Sequence, residues 1–316
     1  MPKQNSGGAG WFTSGVTWGI AGGIALGALV VAPAMAPIAN NSFNNIGGSS
    51  TPEGEQKDKG RADNREANAA NALLAQSSTR IVDGTLTGRP YLIIRTPDAN
   101  DDDVSTTSWL AEMAGGTKAG QITLTDKFLS QDGADELRSI IANTLPAGAQ
   151  LSVDNQAPGI HAGESLGAAL MFDQATGAPL ATVEDRAMVL QTLREAGFLE
   201  YEDGTITPAQ GIIVATGEAE GGNEFASNVL ADLARGLDSR GDSVVLAGRR
   251  GAAEDKGPIA VVRDAPKANE NISTVDSLES ETGRISAVLA LAEQINGGSG
   301  SYGSADNAQA PAPERG

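Results

Sequence analysis

From residue 89 onward, short unbroken apolar runs alternate with longer amphipathic segments, and this alternation constrains the fold more than any other feature. The runs are "YLII" (91–94), "GIIVA" (211–215), "SVVLA" (243–247) and "IAVV" (259–262). Apolar on every residue, they suit strands covered on both faces, as in a parallel sheet. "QITLT" (121–125) alternates in polarity and suits a sheet edge.

The intervening segments carry helix signals. "TVEDRAMVLQTLREAG" opens on Thr182 with Asp185 three residues later, a capping-box spacing, and closes on Gly197. "NEFASNVLADLARGL" sets Phe225, Val229 and Leu233 on one face. "GRISAVLALAEQINGG" does the same with Ile285, Val288, Leu289, Ala292 and Ile295. "DGADELRSIIANTLP" is stopped by Pro146. Together these predict a layered α/β domain with a mostly parallel sheet over 89–296, followed by a low-complexity, disordered tail at 297–316.

Upstream the pattern is different. No charged residue occurs between Lys3 and Glu53, and "VTWGIAGGIALGALVVAPAMA" (16–36) would span about 31 Å as a helix, close to the ~30 Å of a bilayer core. A signal peptide cut after "AMA" is the rival reading. Pro37 beyond the cut, and an apolar stretch longer than the usual ~7–15 residues, favour an uncleaved single-pass anchor over 16–38. Residues 1–15 then stay in the cytoplasm with Lys3, and everything after the anchor faces outward. Gly15, Gly19, Gly23 and Gly27 recur every fourth residue, a spacing that admits close packing by a second membrane helix, from another copy or from a neighbouring protein. A polar linker (39–61) and an alanine-rich helix (62–82) follow. The helix has only Leu73 and Leu74 as large apolar residues before Ile81, too thin a seam for a coiled coil.

Composition narrows the chemistry. A net charge of −18 in 316 residues argues against nucleic acid as a partner. The absence of cysteine removes disulfides, thiolate metal sites and thiol nucleophiles, and a single histidine, His161, removes multi-histidine metal centres. His161 lies in "PGIHAGES", whose glycines and proline read as a solvent-exposed loop.

Three stretches invite a functional reading. "RTPDANDDDV" (95–104) gathers Asp98, Asp101, Asp102 and Asp103 between a strand and a helix ending at Gly115. Acids there stabilise a helix start, whereas a cation site would call for a ligand spacing that is absent, so capping is the expectation. "ATGEAEGGNEF" joins strand to helix through Gly217, Gly221 and Gly222. It lacks the Lys and Ser/Thr of a phosphate loop, and Glu218 and Glu220 would repel phosphate. Arg249 and Arg250 in "LAGRRGAAEDKG" are expected to answer nearby carboxylates. No nucleophile–base pair stands out, so neither a catalytic role nor a bound cofactor is expected.

Several of these stretches together resemble the mycobacterial copper transport protein B family of actinobacterial envelope proteins. They are "RIVDGTLTGRPYLIIRTPDANDDDV", "LPAGAQLS", "VVLAGRRG" and "STVDSLESETGRISAVLALAEQINGGSGSYG", spread over 80–303. Two features depart from the family pattern: the helix after the anchor is shorter and less heptad-like, and the N-terminus is less basic. The resemblance implies an envelope protein of copper efflux, described in the family as channel-forming in the outer membrane. A second reading, carried by actinobacterial relatives, is a non-enzymatic accessory of cell separation that pairs with a membrane protein and influences a cell-wall hydrolase. Cu(I) favours thiolate, thioether or imidazole. The exported part offers only Met113, Met171, Met188 and His161, well apart in sequence.

Overall fold

The computed structural model describes residues 65–218, 223–265 and 270–314. The proposed anchor with Gly15, Gly19, Gly23 and Gly27, and the linker, lie outside the described residues. Among the described residues no helix is long and apolar enough to cross a membrane.

The elements run in the order α1 (65–75), α2 (Ser78–Val82), β1 (Pro90–Arg95), α3 (Asp101–Met113), β2 (Thr117–Leu124), α4 (Ala134–Thr144), α5 (Pro158–Leu170), α6 (Val183–Glu195), β3 (Leu199–Glu200) and β4 (Gly211–Ala215). Then follow α7 (Glu224–Gly241), β5 (Val244–Ala247), a 3₁₀ turn (Arg250–Ala253), α8 (Pro258–Arg263), β6 (Ser273–Val275), α9 (Glu281–Ile295) and β7 (Ser301–Tyr302). The alanine-rich helix expected over 62–82 is thus interrupted by a turn at 76–77.

The described strands form one sheet in the order β3-β2-β1-β4-β5-β6-β7, parallel throughout except where β3 meets β2. Ile93 pairs with Ile213, and Ile213 with Val245; one step on, Ile94 pairs with Val214, and Val214 with Leu246. This register sorts the apolar runs by parity. Leu92, Ile94, Ile212, Val214, Val244 and Leu246 join the core under α4 to α8, whereas Tyr91, Ile93, Ile213, Val245 and Ala247 join the core under α2, α3 and α9. Both faces of the central strands are therefore covered, which is why those runs contain no charged residue. Each such side chain stabilises the fold by about 1.5–3 kcal/mol. On the second face the buried Tyr91 hydroxyl donates to the Ser108 carbonyl at 2.9 Å, tying β1 to α3.

The expected strands at 91–94, 121–125, 211–215 and 243–247 are present within a residue or two. "IAVV" is not a strand. Pro258 occupies the first turn of α8 after Gly257, where proline's fixed φ and missing N–H suit a helix start, and four apolar residues cannot distinguish the two states. The place beside β5 is taken by β6, whose buried Ser273 and Thr274 leave no apolar run to read.

The helix signals hold at α6, where Thr182 Oγ1 accepts the Asp185 N–H at 3.0 Å and Gly197 adopts φ +79°. The tail reading is corrected: Ser301–Tyr302 pair with Thr274–Val275 as a parallel edge strand, and backbone bonds from Gln309 and Ala310 to the Ser301 carbonyl fold the following segment back.

The loop reading around His161 is also corrected. "PGIHAGES" begins α5, with Pro158 in its first turn. Its glycines serve packing: a Cβ on Gly163 would lie 2.3 Å from the Leu233 carbonyl oxygen and 2.7 Å from Gly236 Cα. Gly159 and Gly167 meet α7 in the same way, one turn to either side. Helix-interior glycine costs about 1 kcal/mol against alanine, which the close α5–α7 contact offsets.

Candidate functional site

In an open, doubly wound sheet the carboxyl ends of two neighbouring strands part where their connections leave to opposite faces, and a crevice opens there. Here β1 continues into α3 on one face and β4 into α7 on the other. The crevice has a volume of about 430 Å³. Pro97 and Asp98 follow β1, Asp126, Leu129 and Ser130 follow β2, and Thr216 follows β4. Asn223, Ser227 and Leu230 come from the start of α7.

Two of the polar wall residues, Asp98 and Asn223, have partners within the fold. The Thr96 hydroxyl donates to Asp98 Oδ1. Asn223 is the N-cap of α7, its Oδ1 accepting the Ala226 N–H at 3.2 Å. Gly217 permits a close crossing, since a Cβ there would fall 2.3 Å from the Asp98 carbonyl oxygen. Gly221 and Gly222 of the same connection lie outside the described residues.

The aspartate cluster divides its work. Asn100, not an aspartate, caps α3, its Oδ1 accepting from the N–H groups of Asp102 (3.0 Å) and Asp103 (3.2 Å). Asp101 is exposed and pairs with Arg95. Asp103 is buried, and its two oxygens take Arg249 Nε at 2.7 Å and Arg284 Nη2 at 2.6 Å. That bond to Asp103 raises the Arg249 guanidinium above its ordinary pKa. The side chain of Glu279, beside this pair, is pushed up by burial and by Glu218. The expectation that Arg249 and Arg250 answer carboxylates holds, Arg250 meeting Glu254 at 3.8 Å. Among the described residues no three His, Cys, Asp or Glu side chains gather to hold a metal.

A second buried ion pair fastens the C-terminal segment. Arg263 Nη1 meets Asp276 Oδ2 at 2.9 Å, and the same arginine donates to the Tyr302 carbonyl at 2.8 Å and to Asn307 Oδ1 at 2.7 Å. Burial alone would raise the Asp276 carboxyl. Bonds from the Ser277 hydroxyl, the Ser304 N–H and Arg263 outweigh it and hold the carboxyl below its usual range.

The soft donors do not converge. Met113 ends α3 and is exposed on one side of the sheet, whereas Met188 is exposed on α6 on the other. Met171 is buried beneath Gly241. His161 is half-buried in α5, with Nε2 2.9 Å from the Ser152 carbonyl oxygen. The sheet itself stands between Met113 and the other three.

Sequence reasoning missed Asp126, Ser130, Asn223 and Ser227 as neighbours, and missed Arg284 as a partner of Asp103. The rule that sites gather at the carboxyl ends of parallel strands would have found Asp98, Asp126 and Thr216, each lying within three residues of such an end.

A family model described as "Copper transport outer membrane protein, MctB" matches residues 12–313. Among curated proteins, the copper transporter MctB of Mycobacterium bovis is 40% identical over 247 residues, covering 76% of this chain and 78% of that protein. That of Mycobacterium tuberculosis gives the same figures of 40%, 76% and 78%. The Mycobacterium leprae protein of the same name is 36% identical over 233 residues, or 71% and 73% of the two chains. The family match spans every described strand of the sheet, and the chain belongs to the MctB family, described as copper transport outer membrane proteins.

Proposed function

We propose that this protein is an envelope component that lowers cell copper, held in the membrane by the apolar helix at 16–38 with the α/β domain outside. The observation that carries this reading is the 40% identity, over 247 residues, to proteins named copper transporters. The donor set argues for an indirect contribution by the α/β domain. Cu(I) prefers sulfur and imidazole, and Met113, Met171, Met188 and His161 lie on separate elements of the domain. The domain's sheet, covered by helices on both faces, has none of the alternating lipid-facing character of a barrel wall. A pore would thus be built by assembly of membrane helices, for which Gly15, Gly19, Gly23 and Gly27 supply a packing face. We assign the domain no catalytic role.

The scattered soft donors favour one other reading, a cell-separation accessory that pairs with a membrane partner and influences a cell-wall hydrolase. Deletion of the gene separates the two. The copper reading predicts normal cell shape with raised cell copper and copper sensitivity. Chained or misshapen cells at ordinary copper, with unchanged copper content, would replace it with the second reading.

A further inference from the structure

We propose that the crevice at the carboxyl ends of β1, β2 and β4 binds a small sugar, neutral or amino-substituted, and rejects anionic ligands. The inference rests on the lining of the crevice and stands independently of the copper reading.

Ser227 is the first observation. It is only 4% exposed and lines the crevice from α7, yet its hydroxyl makes no side-chain hydrogen bond among the described residues. A helical serine ordinarily has a carbonyl one turn back to bond, whereas the Ser227 oxygen is left accessible to water or a ligand. This one is open on its crevice side.

The second observation is the chemistry of the walls. Asp98 and Asp126 stand at the ends of adjacent strands, and ionised carboxylates only accept hydrogen bonds. A ligand between them must bring donors. Among the described lining residues there is no Lys, Arg or His to neutralise an anion, and Asn223 already occupies the Ala226 N–H at the start of α7. Phosphate and carboxylate ligands are therefore disfavoured. Leu129 and Leu230 add an apolar surface that suits the C–H face of a pyranose ring. The volume of about 430 Å³ lies in the range of small-molecule pockets. A bare divalent cation fits less well, since Ca²⁺ seeks six to eight oxygens and the described lining offers two carboxylate side chains.

The test uses the full-length protein in detergent, with saturation-transfer NMR and thermal unfolding. The probes are glucose, N-acetylglucosamine, glucosamine and glucose 6-phosphate. We expect saturation transfer to at least one of the first three and none to glucose 6-phosphate. Tighter binding of glucosamine identifies recognition of the ammonium group, and equal binding identifies hydroxyl recognition alone; both support the site. Asp98→Asn with Asp126→Asn should weaken binding about tenfold, and Ser227→Ala about threefold, with the melting temperature of Ser227→Ala near that of the wild type. If the double variant is poorly folded, Asp126→Asn alone, at an exposed position, serves in its place. No transfer to any of the three sugars overturns the proposal. So does binding that is unchanged in the variants, equal binding of the phosphorylated sugar, or stabilisation by Ca²⁺ or Cu²⁺ without sugar binding.

Discussion

Asp103 and Arg284 stand 181 residues apart in sequence and 2.6 Å apart in space. With Arg249 on the other carboxylate oxygen, Asp103 joins the start of α3 to the loop after β5 and the first turn of α9. Removing it leaves two partly buried guanidinium groups without their shared anion. Breaking a buried ion pair costs about 3–5 kcal/mol, and the partial exposure of both arginines lowers the expectation to about 2–4 kcal/mol for Asp103→Ala. Asp101→Asn and Asp102→Asn should each cost under about 0.5 kcal/mol, while Asn100→Ala costs about 1 kcal/mol by removing the cap. Urea unfolding of the four variants measures this order. Equal losses at Asp101 and Asp103 would mean that the cluster acts as one unit.

Gly163 makes the tightest crossing between α5 and α7. Gly163→Ala should destabilise by about 1–3 kcal/mol despite the better helix propensity of alanine, because the added methyl meets the backbone of Leu233 and Gly236. Gly177→Ala, at a turn open to solvent, carries only the smaller cost of its φ of +68°. The check is the difference in melting temperature, with Gly163 the larger loss. A stabilised Gly163→Ala would show that the helices can separate at no cost.

Asp238, on α7, has an Oδ1 buried without a hydrogen-bond partner. Burial, and secondly the nearby Asp242, raise its carboxyl from 3.8 to about 6. A folded pKa above the unfolded one means that the native state holds more protons between those values. Its contribution is fully present below about pH 4 and is lost as pH rises through about 6. Asp238→Asn should therefore match the wild type below pH 4 and exceed it above pH 6, by on the order of 1 kcal/mol after solvent screening. Thermal unfolding between pH 3.5 and 7.5 reads the divergence. Parallel curves would show that Asp238 ionises freely.

The parts of the fold that rest on local periodicity were legible. The central stretches 91–94, 211–215 and 244–247 carry no charged residue, so Ile93, Ile213 and Val245 announce a two-sided core. Where burial is polar, the pattern fails. Ser273 and Thr274 are fully buried in β6 because Gln294 and Arg263 satisfy their hydroxyls, and no apolar run marks the strand. Glycine misled in the other direction. Gly159 and Gly163 read as loop, although with Gly167 they lie on a helix whose partner must approach closely. The crevice was only partly visible, since Asp98 and Gly217 were picked out while Asp126 and Ser227 come together only through the parallel topology.

The role proposed for this MctB-family protein is to lower cell copper without a soft-donor site in its α/β domain. The direct test is the copper content of a deletion strain complemented with the wild type or with a variant carrying Met113→Leu, Met171→Leu, Met188→Leu and His161→Gln. Methionine-to-leucine exchanges conserve volume, and expression of the variant is confirmed by immunoblot. Deletion should raise cell copper, and both genes should return it to the wild-type level. Failure of the folded variant to lower copper, or copper content unaffected by deletion, would contradict the account.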